Sequence, residues 1–522
     1  MSPRIPVPLL LLTACCTPFA DTGQDTALPD DTPPDGSWDV LVVGAGPGGL
    51  AAALEARDRG ATVRVIEREA HSGGALWYAG SILLFSGTEE QAAAGVEDSP
   101  EILLSEWEGF TGGDPGDPWV QAFATRNVPD VHDWILEKSG ETIVFSGLED
   151  ASSGPTSRIH ETQGRGMDLT DGLEASLGQE AILFSTTVDG FVSDPDGAVI
   201  GVTWHRTDDA GVRGWSAAGR TILATGGFQR DLDRVRAFRP DLEGVDLLYA
   251  CTPGTDGNGH ALLESLGARW ANGRAIGLYL HGTPDPRSCG EEVFLRYLTA
   301  GIWVDPDGRR FMDESTVNGL STADRALEAV GPVVWLVVDG SLVQASAFMD
   351  LMVLEGETGT YTVEEMLAGG YVVSSETVAG LAGAIGADPA ILQASVDGFN
   401  AWVRDEAEDE WREDRVGVRP IESPPFYATR LMPSTTKAFG GIAVDTGGRV
   451  TDAGGAPLPG VLAAGELTGM AGGSLVGHTG FSGSLSAVLL SGRIAGATAA
   501  EEALGRRCRP ADPPDHHPCV MR

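Results

Sequence analysis

The sequence predicts an α/β fold built on a parallel β-sheet, and three observations lead to this prediction. Residues 38–43 (WDVLVV) form an apolar run bounded by turn residues, as a buried parallel strand does. A glycine-rich turn, an alanine-rich helical stretch and a second apolar run that ends at Glu67 follow in order. The chain also contains 71 glycines among 522 residues, about twice ordinary usage. This excess favours tight turns and close backbone approaches.

The turn after the first strand has the spacing G-x-G-x-x-G and predicts a Rossmann-like dinucleotide site. Gly44 makes the tight turn, Gly46 lets the backbone approach a pyrophosphate, and Gly49 allows the helix to pack on the strand. The N-terminus of that helix faces the phosphates. Glu67, about twenty residues further on, is expected to accept hydrogen bonds from the adenosine ribose. The predicted residues of this turn are Gly44, Gly46, Pro47, Gly48 and Gly49.

The charge of the chain excludes two classes of partner. The formal net charge is −40, from 35 basic and 75 acidic residues. So acidic a protein repels nucleic acid and anionic membrane surfaces, and neither is expected as an electrostatic partner. Arginine supplies nearly all the positive charge, because lysine occurs only at Lys138 and Lys437. We assign the acidic excess to a solvated exterior rather than to a binding site.

Residues 1–14 are typical of an export signal. An arginine precedes an apolar run at residues 5–12, which is too short to span a bilayer. Residues 12–15 (LTAC) resemble the lipobox of bacterial lipoproteins, whose signal is cut before a lipid-carrying cysteine. We therefore expect a lipid anchor on Cys15, a disordered tether over residues 15–36, and a location on the periplasmic or cell-surface side of a bacterial membrane. An ordinary secretory signal with a coincidental cysteine is the alternative.

The tail, residues 506–522, contains Cys508 and Cys519. In an oxidising compartment these two cysteines could close a small disulfide loop. His516, His517 and Cys519 could instead hold a metal, but we expect no metal site. The chain has no C-x-x-C-H motif, so no c-type haem is expected on it.

A second glycine-rich turn directly after Glu67 indicates which dinucleotide is bound. Residues 68–88 (REAHSGGALWYAGSILLFSGT) resemble the FAD-contacting segment of the fumarate reductase/succinate dehydrogenase flavoprotein superfamily. Residues 221–228 (TILATGGF) and 462–466 (LAAGE) resemble two later segments, and the similarity runs through almost the whole chain after the tether. The resemblance implies a non-covalently bound FAD. The further cofactor-lining residues that it implies are Ser72, Gly73, Gly74, Ala79, Gly80, Ser81, Ala224, Thr225, Gly226, Gly227, Glu466, Ser484 and Leu485.

The resemblance also implies the domain organisation. Members of this superfamily have a glutathione-reductase-type FAD domain that is interrupted by an α+β cap domain. On that basis residues 37–276 and 438–505 form the FAD domain and residues 277–437 form the cap. Helices predicted at residues 362–368 and 376–405 belong to the cap.

The catalytic side chains implied by the resemblance differ from those of a fumarate reductase. Residues 279–281 (YLH) align with the family's Q-x-H, so its first histidine is kept as His281. Asn318 stands where the family has a proton-donor arginine, and Lys437 replaces the histidine of a segment H-T-M-G-G. His478 lies beside the position of the arginine that clamps the substrate carboxylate.

Two further polar positions are candidates. Tyr297 could act as an acid, although a packed tyrosine is the alternative. The family's Glu-x-x-Arg proton relay is out of register here, but Glu292 and Arg296 lie nearby in the sequence.

The sequence therefore predicts an FAD-dependent oxidoreductase that transfers a hydride between the flavin N5 and a C–C bond next to a carbonyl or carboxylate of a small molecule. Because the acid–base set is changed, fumarate itself is not the expected substrate. Electrons would pass to or from a separate carrier, since the chain has no haem or iron–sulfur motif. Two alternatives remain: an enzyme like the 3-ketosteroid dehydrogenases acting on a bulky enone, and a non-catalytic flavin-binding surface lipoprotein.

Overall fold

The computed structural model describes residues 34–147, 151–295, 298–316, 322–345, 361–413, 415, 417–477 and 480–507. Their strands are β1 (Ser37–Val43), β2 (Val63–Ile66), β3 (Ile82–Leu84), β4 (Ile143–Phe145), β5 (Ile159–Thr162), β6 (Ile182–Leu183), β7 (Thr186–Ser193), β8 (Val199–Arg206), β9 (Arg213–Leu223), β10 (Leu248–Tyr249), β11 (Trp270–Ala271), β12 (Ile276–Pro284), β13 (Glu292–Phe294), β14 (Ile302–Val304), β15 (Val334–Asp339), β16 (Val372–Ser375), β17 (Phe426–Ala438), β18 (Gly441–Ile442), β19 (Arg449–Thr451) and β20 (Pro457–Ala463).

The α-helices of the same residues are α1 (Pro47–Asp58), α2 (Glu89–Ala93), α3 (Pro100–Thr111), α4 (Pro118–Asn127), α5 (Asp133–Lys138), α6 (Gly166–Leu177), α7 (Leu232–Phe238), α8 (Asn258–Ser265), α9 (Thr322–Val330), α10 (Gly340–Ala345), α11 (Val363–Gly369), α12 (Val378–Ile385), α13 (Pro389–Val403) and α14 (Leu485–Arg507). Short 3₁₀ turns cover Gly74–Trp77, Ala151–Ser153, Gln179–Ala181, Pro240–Leu242 and Glu314–Thr316, and a π-helical turn covers Val128–His132.

These elements form two compact units. Among the described residues, the larger unit takes residues 34–240, 252–276 and 437–507, and the smaller unit takes residues 241–251 and 277–436. No helix of the described residues is both long enough and apolar enough to cross a bilayer.

The sheet of the larger unit confirms the predicted α/β class. Its strand order is β19-β20-β9-β1-β2-β6, and β7 and β8 extend it beside β9. β1 runs parallel to β2 and β9, and β20 runs parallel to β9. The last residues of these strands are in register: Val43 pairs with Ile66 and Leu223, and Leu223 pairs with Ala463. The carboxyl ends of four strands therefore meet at one edge.

Helices α1 and α14 lie against each other at glycines. A Cβ on Gly492 of α14 would come 2.3 Å from the carbonyl oxygen of Gly48, and a Cβ on Gly496 would come equally close to that of Ala52. Any side chain at these two positions would push the helices apart. This contact fixes α1, whose N-terminus follows the predicted phosphate-binding turn.

Aspartate side chains close several hairpins in the same way. Asp194 Oδ1 accepts hydrogen bonds from the backbone N–H groups two and four residues later, at 3.0 and 2.9 Å. Asp305, Asp445 and Asp452 each bind their chain in this pattern, with bonds of 2.8–3.0 Å. A glycine lies within the loop in each case, as such turns prefer. Part of the acid and glycine excess therefore serves local turns.

A buried ion pair joins two segments of the larger unit that lie far apart in the sequence. The Arg158 guanidinium donates two hydrogen bonds to the Asp98 carboxylate, at 2.8 and 2.9 Å, and a third to Glu106 at 2.6 Å. The Arg158 and Asp98 side chains are 0% exposed. Such a fork fixes the loop before α3 against β5.

The smaller unit is built on a mostly antiparallel sheet. Its order is β13-β12-β17-β15-β14, with β10 and β16 paired to β17. Helices α12 and α13 cover it through an apolar cluster that includes Leu381, Phe399 and Trp402. The helical stretch predicted over residues 376–405 contains two helices: the chain breaks at Gly386, whose φ is +78°, and restarts where Asp388 caps α13. The helix predicted at 362–368 corresponds to α11.

Two buried histidines of the larger unit predict acid sensitivity. Burial lowers the pKa of His160 to about 4, and burial together with the charge of Arg234 lowers the pKa of His260 to about 3. Both values lie below the ordinary 6.5, so the unfolded chain binds more protons than the native one. The contribution of the two neutral imidazoles to the free energy of unfolding is complete above pH 6.5. It is lost as the pH falls toward the pKa of each histidine in the folded protein.

We expect the free energy of unfolding, measured by urea denaturation, to fall by about 2–3 kcal/mol between pH 7.5 and 5.5, beyond the effect of carboxylates that titrate lower. His260 stacks on Trp270 with ring centroids 4.8 Å apart, so His260→Phe keeps a ring there. That variant should show a clearly shallower pH dependence. An unchanged dependence would contradict the assignment to His260.

Candidate functional site

Four turns of the larger unit leave the sheet at the same edge. Gly44 N donates to the Ile66 carbonyl at 2.8 Å, Ala224 N to that of Val43 at 2.8 Å, and Ala464 N to that of Leu223 at 2.9 Å. The residues after each strand, 44–49, 67–74, 224–227 and 464–466, therefore start side by side. In open α/β sheets, ligands bind outside the carboxyl ends of the strands.

The turn at residues 44–49 is shaped by two tight contacts and one open position. A Cβ on Gly49 would lie 1.9 Å from the Gly44 carbonyl oxygen, and Gly44 itself has a φ of +101°. A Cβ on Gly46 would meet no protein atom within 4 Å. Helix α1 begins at Pro47, and no side chain caps it at Gly46. The open side of Gly46 and the uncapped N–H groups therefore suit an anionic group.

Glu67 lies directly beside this turn. Its Oε2 accepts a hydrogen bond from Ala45 N at 2.6 Å, and its Oε1 accepts one from Glu69 N at 2.8 Å. Burial raises the pKa of the Glu67 carboxyl, and these two N–H groups oppose that effect. Each carboxylate oxygen can accept a further hydrogen bond, as a ribose hydroxyl would require.

The second glycine-rich turn touches the first. Gly73 N donates to the Ala45 carbonyl at 2.8 Å, and a Cβ on Gly74 would lie 3.4 Å from Gly46 Cα. Ser72 is buried, and its hydroxyl binds the carboxylate of Glu174 on α6. The predicted first and second glycine turns thus form one surface.

The residues that follow differ in exposure. Ser81 is buried, has a φ of +55°, and its hydroxyl lies 2.5 Å from that of Thr162. Ala79 and Gly80 are exposed, and a Cβ on Gly80 would meet nothing within 4 Å. The exposed surface here is at residues 79–80, and the buried Ser81 anchors the chain next to it through Thr162.

The third and fourth turns carry the predicted Ala224, Thr225, Gly226, Gly227 and Glu466. Gly226 has a φ of +82°. The Thr225 hydroxyl is buried and has no hydrogen-bond partner among the described residues. Ser484 pairs with Leu83 at the start of α14, whose first residue is Leu485.

Glu466 carries the carboxyl of the fourth turn. Its Oε1 accepts a hydrogen bond from Ala438 N at 3.0 Å and another from the Gln229 side-chain amide. Burial raises the pKa of Glu466, although those bonds and the Lys437 ammonium lower it. Lys437 is half-buried and lies close enough to act on this carboxyl. The predicted positive group therefore lies among the predicted FAD turns of the larger unit.

His281 belongs to the smaller unit, on β12. Its Nδ1 lies 2.9 Å from Glu292 Oε1 on β13, and both side chains are buried. The ring stacks on Tyr279 with centroids 4.5 Å apart and meets Phe294 edge to face at 4.7 Å. The described structure thus pairs His281 with a carboxylate that was noted in the sequence without a role.

Three predicted catalytic residues, Tyr297, Asn318 and His478, lie outside the described residues, as do Arg296 and the cysteines Cys15, Cys508 and Cys519. Cys289 is disulfide-bonded. Among the described residues, no three His, Cys, Asp or Glu side chains form a group that could hold a metal ion.

Sequence reasoning did not identify Gln229 and Glu174 as residues of this site. Gln229 binds Glu466, and Glu174 binds Ser72. Glu174 gives no local signal, because it reaches the turn from a helix about a hundred residues later. Gln229 directly follows the predicted segment 221–228, so its position was a usable signal.

The residues of the larger unit fit an FAD. Among the described residues, the glycine turn leaves Gly46 open where a pyrophosphate would lie, Glu67 can accept further hydrogen bonds from a ribose, and Thr225 has a buried hydroxyl without a partner. The turns at 44–49, 72–74 and 224–227, with Glu466 and residues 484–485, would hold the cofactor.

Comparison with known proteins agrees with this fit. A family model described as FAD binding domain matches residues 39–479. The chain is 26% identical over 496 residues to NADH:fumarate oxidoreductase of Klebsiella pneumoniae (strain 342), covering 93% of this chain and 49% of that protein. It is 27% identical over 474 residues to urocanate reductase of Eggerthella lenta, covering 88% of this chain and 74% of that protein.

The fold is similar to that of a solved structure, the open conformation of a flavocytochrome c3 fumarate reductase. The TM-score is 0.68 at 23% identity, over 90% of this chain and 79% of that chain. The chain spans about half the length of the Klebsiella protein and about three quarters of the urocanate reductase.

Proposed function

Since this chain belongs to the family of FAD-binding domains, we propose that it is an oxidoreductase that acts on a C–C bond next to a carbonyl or carboxylate of a small molecule. Its cofactor is FAD. The observation that carries the proposal is the shared sheet edge, where the strands that end at residues 43, 66, 223 and 463 are in register. Lys437 lies at this edge, because its charge lowers the pKa of Glu466 in the turn after the last strand. The names of the two reductases among its relatives support the direction of reduction.

A bound FAD, once reduced by the separate electron carrier, would supply the hydride, and the side chains of the protein would do the rest. A hydride can add at one carbon only if the neighbouring carbonyl or carboxylate is polarised and a proton reaches the adjacent carbon. We propose that His281 binds the carbonyl or carboxylate and that Lys437 supplies positive charge to it. Asn318, His478 and Tyr297 complete the proposed set, and the loss of the family's donor arginine argues against fumarate as the substrate.

We also propose where the protein is located, how its domains divide and how it receives electrons. A lipid on Cys15 would anchor it to a bacterial membrane on the periplasmic or cell-surface side, with residues 15–36 as the tether. Residues 37–276 and 438–505 would form the FAD domain and 277–437 the cap. A separate carrier would deliver electrons, because this chain carries no haem motif.

An acceptor panel tests the function. The purified protein should be yellow, and after anaerobic photoreduction it should be mixed with enoates, keto acids and a steroid enone while the flavin absorbance is followed. We expect an enoate to reoxidise the flavin fastest. Fastest reoxidation by the enone would favour the steroid-dehydrogenase alternative, and none by any acceptor would favour a non-catalytic flavoprotein. A colourless protein without FAD would contradict both catalytic proposals and the flavin-binding alternative.

Lys437→Ala should impair acidic substrates without releasing FAD. Loss of a charge-assisted contact is expected to raise KM for a carboxylate substrate by about 10- to 100-fold, because such a bond contributes about 1.5–3 kcal/mol. The chain offers a matched control in its other lysine, Lys138, which pairs with Asp58 at 2.8 Å and Glu137 at 2.9 Å at the surface. Lys138→Ala should leave KM within about twofold. Equal KM values in Lys437→Ala and the parent would remove Lys437 from the site.

A further inference from the structure

His281 and Glu292 form a buried histidine–carboxylate pair within the smaller unit. The Nδ1–Oε1 distance is 2.9 Å, and the side chains are 7% and 1% exposed. An ionised carboxylate can only accept a hydrogen bond, so Nδ1 must be the donor. The pair therefore fixes the imidazole as the Nδ1–H form when it is neutral and leaves Nε2 to accept or hold a second proton.

The surroundings hold the pair in this geometry. Tyr279 stacks on the imidazole at an interplanar angle of 17°, and Phe294 closes the other side edge to face. Gly282 pairs with Phe294 across the two strands, and a Cβ on Gly282 would come 2.3 Å from Glu292 Cγ. The missing side chain at Gly282 is what makes room for the carboxylate. Glu292 Oε2 is buried and has no hydrogen-bond partner among the described residues.

Among the described residues, the buried Glu292 carboxylate binds a histidine through one oxygen and has no partner for the other, which is poor stabilisation because the desolvation of the charge is only partly offset. An apolar side chain of similar size would fill the same space at lower cost. The geometry is better suited to an acceptor that orients the ring and offsets the charge of an imidazolium.

We propose that Glu292 is the positioning residue of His281: it keeps the Nδ1–H directed at its own carboxylate, so that Nε2 faces the substrate and, when the ring is protonated, donates its N–H to the carbonyl or carboxylate oxygen of the substrate. This inference rests on the role proposed above for His281. It adds that the bound oxygen carries negative charge or gains it as the hydride is transferred, because Glu292 stabilises positive charge on the ring that binds it.

Three variants separate orientation from charge. Glu292→Leu removes the acceptor, Glu292→Gln keeps a neutral acceptor, and Gly282→Ala displaces the carboxylate without altering either partner. The matched control is Glu376→Gln, an exposed glutamate of the same unit. The substrate-free readout is ¹⁵N NMR of histidine-labelled holoprotein, in which the signal lost in His281→Gln identifies His281.

In the parent, we expect the neutral His281 ring to be in the Nδ1–H form. Glu292→Leu and Gly282→Ala should give a mixture of both forms, and Glu292→Gln should restore Nδ1–H. With the best acceptor of the panel, Glu292→Leu should lower kcat by about tenfold or more with KM changed by less than about threefold, and Glu292→Gln should recover part of the loss.

The two proposals fail in different ways. An Nε2–H ring in the parent, or a tautomer that does not respond to Glu292→Leu, would overturn the pairing whatever the acceptor panel shows. A correct tautomer shift in a protein that reduces no acceptor would instead overturn the proposed function. If Glu292→Leu does not fold, Gly282→Ala and Glu292→Gln decide the question. An unchanged tautomer in Gly282→Ala would overturn the role of Glu292. A kcat equal to that of the parent in both variants would overturn it as well.

Discussion

Gly46→Ala is expected to abolish FAD binding while leaving the protein folded. Gly46 has φ −71° and ψ 176°, which alanine adopts freely, and a Cβ there would meet no protein atom within 4 Å. The added methyl group would, however, occupy the space in front of the N-terminus of α1 where a pyrophosphate must approach the backbone. We expect the dissociation constant for FAD, measured by fluorescence titration of the apoprotein, to rise by about 100-fold or more, a loss of about 2.7 kcal/mol.

Two other glycines control this experiment. Gly109→Ala lies in an exposed turn of α3, where no atom of the described residues comes within 4 Å of the new Cβ. It should leave FAD affinity unchanged and raise stability by up to about 1 kcal/mol, because alanine favours a helix interior more than glycine does. Gly49→Ala should fail differently, because its Cβ would lie 1.9 Å from a backbone oxygen and the helix itself must move. Unchanged FAD affinity in Gly46→Ala would show that the pyrophosphate does not lie at this turn.

Arg158→Met is expected to destabilise the larger unit severely. It leaves the buried carboxylate of Asp98 without its charged partner and removes a bond from Glu106. Breaking a buried pair from one side costs about 3–5 kcal/mol, because an uncompensated charge remains in the interior. The free energy of unfolding in urea should fall by about that amount, and FAD should be released at a lower urea concentration.

The exposed pair of Arg404 and Glu422 provides the matched control. Their side chains are 40% and 56% exposed, so Arg404→Met should cost less than about 1 kcal/mol. The double variant Arg158→Met, Asp98→Leu should recover part of the stability, because it removes the stranded charge. If Arg158→Met unfolds at the same urea concentration as Arg404→Met, the buried fork contributes nothing to stability.

The α/β class and the FAD cofactor could be predicted from the sequence because both depend on local order. A strand, a glycine turn, a helix and a second strand ending in Glu67 lie within about thirty residues, and their pairing follows from the parallel βαβ unit. The break between α12 and α13 was also visible in principle, since Asp388 before Pro389 is an ordinary helix start.

Side-chain pairs between distant elements could not be predicted. Arg158 and Asp98 are separated by 60 residues, and nothing near either one identifies its partner. The Glu292 carboxylate reaches His281 from the neighbouring strand β13, where Glu292 pairs with Pro284, and a shift of this register by one residue would turn Glu292 to the other face of the sheet. Such pairings depend on strand register, which a single sequence does not specify.

The in-register sheet edge has a consequence for how the protein is made. The turns that would hold FAD come from the beginning, the middle and the last part of the chain, and β20 joins the edge only when residues 457–463 are available. During synthesis residues 221–223 at the end of β9 therefore wait with one side unpaired, although β8 already pairs with residues 213–217. An unpaired strand edge is prone to aggregation. Pairing of such distant segments also slows folding. FAD should consequently be taken up late, by nearly complete chains.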